Sequence, residues 1–119
     1  MKKIIAGTVM LTMEDGSKKF LVNLKQDALH LVSSEAQPEM TGLASILNVL
    51  KETVQLDVTK LRLLELTNGM IVNQSVPIFI FEMDQKDTTS QLPETYIWEQ
   101  FSEFQKIVQK FEIEGMPHF

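Results

Sequence analysis

The segment from Gly42 to Gln55 constrains the fold more than any other part of this chain. Leu43, Ile46, Leu47, Leu50 and Val54 recur along one side at helical spacing. Ser45, Asn48, Lys51, Glu52 and Gln55 take the opposite side, and no Pro or Gly interrupts the pattern after its first residue. Thr41 stands directly before it as an N-cap, its hydroxyl able to accept a first-turn amide. A helix with one broad apolar side must bury that side against something. What surrounds this one is strand-like, so the partner is expected to be a sheet.

Ile4 to Thr12 is rich in apolar and β-branched residues and reads as a strand. Asp15-Gly16 lies in the turn from Met13 to Ser17, where Gly readily adopts positive φ. Lys18 to Asn23 returns as a second strand, with Phe20 and Val22 on one face and Lys19, Leu21 and Asn23 on the other. Leu29 to Val32 is a short strand, and Ser33 to Met40 a polar loop containing Pro38. Strands resume at Val58–Leu66 and Met70–Val72, with Asn68-Gly69 as the hairpin turn between them, and again at Pro77–Met83. Asp84 to Ser90 is a polar loop. Tyr96, Ile97, Phe101, Phe104, Ile107, Val108 and Phe111 predict a second helix from Pro93 to Phe111, with a loosely attached tail over 112–119. The expected fold is α/β: one domain over residues 1–119, a mixed sheet carrying a helix on either face.

Composition removes several function classes. The chain has no Cys, which excludes disulfides, Cys-ligated zinc and thiol catalysis. Eleven Lys+Arg against 16 Asp+Glu give a net charge of -5, and Lys2-Lys3, Lys18-Lys19 and Lys106 with Lys110 are isolated pairs, so no nucleic-acid partner is expected. Arg62 is the single Arg, which rules out several bidentate phosphate clamps within one chain. The opening Met1 to Thr8 leads through a strand into a turn, and no segment reaches the ~20 apolar residues of a membrane span. No membrane partner is expected, and a cytoplasmic location is the default.

The element order, with Ala6-Gly7-Thr8-Val9-Met10-Leu11, Asp15-Gly16 and Lys19-Phe20-Leu21-Val22 at its start, resembles the Nudix hydrolase family. The resemblance implies an α/β/α sandwich around a mixed sheet. It also implies hydrolysis of a nucleoside diphosphate linked to another moiety, with Mg²⁺ or Mn²⁺ held by glutamates. The family motif opens with Gly, has Glu after five residues, and seven residues later reads Arg-Glu-apolar-x-Glu-Glu-x-Gly. Anchored on Glu52, it places Ser33 at the opening Gly, Glu39 at the early Glu, Leu47 at the Arg and Asn48 at the next Glu. Val49 then takes the apolar position, Lys51 and Glu52 the glutamate pair, and Val54 the closing Gly.

The motif is therefore degraded. Mg²⁺ wants several hard oxygen ligands, and here an amide and an ammonium stand where the family has acids. The leading expectation is a Nudix-like domain with impaired or absent catalysis that needs no cofactor. It would bind an anionic, nucleotide-like small molecule or a protein, with Lys51, Asn48 and Glu82 as the ligand-binding candidates. The alternative is a divergent Mg²⁺- or Mn²⁺-dependent diphosphate hydrolase, with Glu39 and Glu52 as metal ligands and catalytic residues. Glu82, Asp84 and Asp87 would then supply carboxylates from outside the helix, or else form an acidic solvated loop. A third reading is a homodimer built through a sheet edge or helix packing around Phe79, Phe81, Phe101 and Phe104. His30 reads as a hydrogen-bonded, partly buried edge histidine, with a ligand contact as the alternative, His118 as incidental, and Tyr96 and Trp98 as packing residues of the second helix, with a stacking platform for a base as the alternative. The seven Met residues are scattered core filling.

Overall fold

A computed structural model describes residues 3–36, 38–71, 74–88 and 91–110, with the backbone alone for 71 and 108–110. Strand β1 (Ile4–Thr12) is buried from Ile5 to Leu11, which fits its nearly continuous apolar sequence and puts it in the middle of the sheet. β2 (Lys18–Lys25) returns antiparallel through the Asp15-Gly16 turn, Met10 opposite Phe20. Gly16 sits at φ 88, and the Asp15 carboxylate accepts the Ser17 hydroxyl at 2.6 Å and the Ser17 amide at 2.9 Å. These two hydrogen-bonding groups of Ser17 hold the Asp15 carboxyl below its ordinary value. β3 (Ala28–His30) pairs with the end of β2, and β4 (Val32–Glu35) pairs with the first half of β1.

Helix α1 (Gly42–Glu52) follows, capped by Thr41, whose Oγ1 accepts the Ala44 amide at 3.1 Å. A 3-10 turn at Val58–Lys60 leads into β5 (Arg62–Ile71), and β6 (Gln74–Asp84) runs antiparallel to it. β6 is parallel to β1, with Gly7 opposite Phe79. A second 3-10 turn at Gln85–Asp87 precedes β7 (Tyr96–Gln100), which pairs with β2, and α2 (Phe101–Lys110) comes last. The sheet runs β3-β2-β1-β6-β5, with β4 also on β1 and β7 also on β2.

The two faces of the sheet carry two cores. Ile5, Val9, Leu11, Leu21, Phe79, Phe81 and Met83 meet Ile46, Leu50 and Val54 of α1. Ala6, Met10, Phe20, Val22, Ile78 and Ile80 meet Phe104 and Ile107 of α2. The expected α/β sandwich with a helix on each face is what the chain adopts. The Phe20 and Phe104 rings stack with centroids 4.2 Å apart, fixing α2 over β2.

Several boundaries differ from the sequence expectation. β5 runs straight through Asn68-Gly69, pairing Asn68 with Pro77 and Gly69 with Val76, so Met70 continues the same strand and the reversal falls after Ile71. Val58–Lys60 is a 3-10 turn and not the start of that strand. Ser33 to Glu35 belong to β4 and not to a loop, because the first half of β1 needs a partner where β2 diverges. The expected helix from Pro93 is a strand followed by a shorter helix: Tyr96 and Trp98 face one side and Ile97 the other. α1 ends at Glu52, and Ser45 on its supposed polar side is buried. Lys2, Val72, Phe111, His118 and the 112–119 tail lie outside the described residues.

β1 changes partner between Gly7, the last residue opposite β4, and Met10, the first opposite β2. Thr8 sits in that gap, fully buried, and its Oγ1 donates to the Leu21 carbonyl at 2.8 Å. Thr8→Val keeps the side-chain shape and removes the donor. It is expected to lower unfolding free energy by about 1–3 kcal/mol, read from the urea midpoint at unchanged slope.

Candidate functional site

α1 lies along β1 with its start over Gly42–Phe79 and Ile5, and Ile46 over Gly7. Its inner positions are set by packing, and its outer positions are free for chemistry. Asn48, Lys51 and Glu52 are all exposed there. The closing turn is wide: the Val54 amide donates to the Val49 carbonyl at 3.0 Å and the Leu56 amide to the Leu50 carbonyl at 2.9 Å. The residue that enters the left-handed region is Gln55, at φ 66, while Val54 is buried. Leu50 is also buried, whereas Val49 is half-buried.

Glu39 is exposed in the turn before α1, and Glu52 is the last residue of that helix. The eleven residues between N-cap and C-cap span about 16 Å, so the two acids stand at opposite ends of the helix. Among the described residues no group of three or more His, Asp or Glu is placed to hold one metal ion. Glu82 is not on the α1 side. It alternates with Phe81 and Met83, which face α1, and so shares the α2 face with Ile78 and Ile80. Arg62 takes it there: Nε donates to Glu82 Oε1 at 2.9 Å, and Nη2 lies 3.6 Å from Asp84 Oδ1. That pairing raises the Arg62 pKa, chiefly through the Glu82 hydrogen bond. Glu82 thus cannot join Asn48 and Lys51 around one ligand, which corrects the sequence grouping. His30 is exposed on β3 opposite Asn23, at the edge of the sheet, and not partly buried as expected.

A cavity of about 830 Å³ opens elsewhere, where the starts of β1, α1 and β6 meet the end of β4. Lys3, Gly42, Gln74 and Ser75 supply polar groups, Glu35 adds a carboxylate, and Ile4, Ile5, Pro38, Met40 and Pro77 give apolar walls. Its volume lies within the range of small-molecule sites, roughly 300–1,000 Å³. Sequence reasoning named none of these as site residues, because three distant segments have to converge before they share a surface. The one signal was Lys3 at the head of β1, read as part of an isolated pair.

No family model matches the chain, and no curated protein sequence matches it significantly. Solved structures do. A C. elegans Ap4A hydrolase in a binary complex superposes with a TM-score of 0.72 at 12% identity, over 90% of this chain and 86% of that one. The M. smegmatis Nudix hydrolase RenU gives 0.64 at 8% identity, over 96% and 90%. The NUDIX domain of Shewanella oneidensis NrtR, complexed with ADP ribose, gives 0.53 at 10% identity, over 90% and 84%. The chain has the Nudix fold.

Within this Nudix fold the α1 face of the sheet has one further feature. Asn23 is buried opposite Tyr96, and its Oδ1 is buried without a hydrogen-bond partner among the described residues. Tyr96 and Trp98 pack against the same core from β7, and burial raises the Tyr96 pKa. They are strand residues, so the expected packing role holds on a different element. A buried acceptor left unpaired costs about 1–3 kcal/mol. Asn23→Leu, close in volume, should therefore raise unfolding free energy by about that amount, measured by chemical denaturation. A loss of stability would mean that the amide is satisfied in solution.

Proposed function

We propose that this chain is a metal-independent, non-hydrolytic binding domain on the Nudix fold, whose ligand is an anionic, nucleotide-like small molecule. The observation that carries the reading is the outer face of α1, which presents Asn48, Lys51 and Glu52 with a single carboxylate among them. The helix end also supports sliding the motif by one residue. A closing Gly belongs at the left-handed position, which is Gln55, and the apolar position belongs on the buried side, which is Leu50. The Arg position then falls on Asn48, the next Glu on Val49, and the pair on Glu52 and Thr53. The early Glu moves from Glu39 to Met40 and the opening Gly to Ser34. In either register Glu52 is the one acid left on the helix.

Those residues do not fit Mg²⁺ or Mn²⁺. A hard divalent ion next to a diphosphate needs several carboxylates to neutralise the charge, and Glu52 has an ammonium, Lys51, as its neighbour. An anion is better served by the cavity at the start of α1. Lys3 brings a positive charge that offsets the Glu35 carboxylate on its wall, and the helix end adds outward-facing amides and the positive end of the dipole. The apolar wall of Ile4, Ile5, Met40 and Pro77 suits a flat ring or another non-polar body. The NUDIX domain of NrtR is complexed with ADP ribose, and a nucleotide-like ligand on that domain supports the same use of this fold here.

Thermal shift against nucleotides and nucleotide sugars, with and without Mg²⁺, tests the reading. A stabilising ligand should act equally in both conditions, and Lys3→Glu should remove the shift. At a ligand concentration 100 times Kd the stabilisation should be about 2.7 kcal/mol, several degrees in Tm for a chain of this size. Release of phosphate or a nucleoside monophosphate that requires Mg²⁺ and disappears in Glu52→Gln would replace this reading with the hydrolase. Absence of any small-molecule response would leave a protein as the ligand.

A further inference from the structure

We propose that the outer edge of β5 pairs with β5 of a second copy of this chain, antiparallel across a two-fold axis at Asn68. β5 ends the strand order, so among the described residues no strand covers its outer side. Large apolar side chains are nonetheless exposed along it: Leu63 at 49%, Leu64 at 40%, Leu66 at 52% and Met70 at 40%. A long apolar edge is a template for another strand.

The backbone is turned the right way for this. Asn68 stands opposite Pro77, which has no N–H to donate. The Phe79 carbonyl, opposite Leu66, lies 3.0 Å from where a Cβ on Gly7 would sit, so it points to β1 and away from β5. Both observations make these the non-hydrogen-bonded pairs of the β5–β6 ladder. The N–H and C=O groups of Leu66, Asn68 and, by alternation, Met70 therefore point out from the free edge.

The side chains select the occupant. With the axis at Asn68, Leu66 of one copy lies opposite Met70 of the other, and the reverse pair follows by symmetry. The two Asn68 amides meet at the axis, each able to donate and accept, and Thr67 lies opposite the small Gly69. No like charges face each other in this register. At the other end of the strand, the bulge between Leu63 and Glu65 breaks the regular edge and limits further pairing. The match is self-complementary and short, which fits a reversible homodimer.

The absence of Cys gives a direct test of register. Directly opposed Cα atoms are about 5.5 Å apart in a hydrogen-bonded pair, within disulfide range. Asn68→Cys should cross-link to a covalent dimer under mild oxidation. Leu66→Cys should not, because its two copies are offset by four residues, about 14 Å along the strand. Sedimentation velocity should show the unmodified chain passing from monomer to dimer with rising concentration, and Leu66→Glu, folded by circular dichroism, staying monomeric. A monomer at every concentration overturns the proposal. A dimer that survives Leu66→Glu, or that cross-links through position 66 and not 68, overturns the assigned edge and register.

Discussion

Everything in this fold depends on β1 being shared. It is buried on both faces, runs parallel to β6 along one edge, and divides its other edge between β4 and β2. A strand used this fully has no tolerance for a misplaced side chain. At Gly7 an added Cβ would meet Ile46 Cγ1 and the Phe79 carbonyl, both at 3.0 Å, so the absence of a side chain is what lets α1 settle onto the sheet. At Thr8 the two partner strands diverge, and the backbone carbonyl they expose would be orphaned in the interior. The threonine hydroxyl closes that gap from within. Close helix approach and the split edge are adjacent solutions to one crowding problem.

The sequence was most legible where local and tertiary preferences agree. The α1 pattern and its Thr41 cap, and the hairpin through Asp15-Gly16, formed as expected. Asn68-Gly69 carries an equally good turn signal and makes none. The difference lies in the partner. Asp15-Gly16 is followed by a strand that pairs back at once, whereas Thr67 to Ile71 already have Gln74 to Ile78 opposite them, and the ladder outweighs a dipeptide preference. The end of the chain misled for a related reason. Tyr96, Ile97 and Trp98 are consecutive and large, so they satisfy a helical repeat that begins in earnest at Phe101. Only the exposed backbone edge of β2, which β7 fills, decides that they are extended.

That α1 carries a single acid, Glu52, can be read from residue types, but which residue occupies which motif position depends on the backbone at the helix end. Gln55, in the left-handed region, takes the place of the closing Gly one residue after Val54, where anchoring on Glu52 put it, since neither residue is the Gly that would have signalled it. The grouping of Glu82 with Lys51 and Asn48 failed on strand parity, because a one-residue step along β6 moves a side chain through the sheet. The Arg62 pair on Glu82 and Asp84 is exposed, and so contributes little to stability, yet it commits both carboxylates to the far face.

The split between the two sides of α1 explains how a fold of this kind outlasts a metal site. Ile46, Leu50 and Val54 face the core and hold the helix whatever its outer residues are. A cluster of carboxylates on the outer side would contribute nothing to that packing, and without a bound cation the acids would repel one another across one helical turn. In either register α1 carries one acid, Glu52, so that repulsion does not arise, and Lys51 in the last turn also complements the negative end of the helix dipole. On the proposed reading, losing the acids costs the protein its hydrolytic chemistry and nothing of its fold. On the same reading, the start of that helix, where the dipole favours an anion and a cavity is already walled by three strands, is where a nucleotide-like ligand would be met.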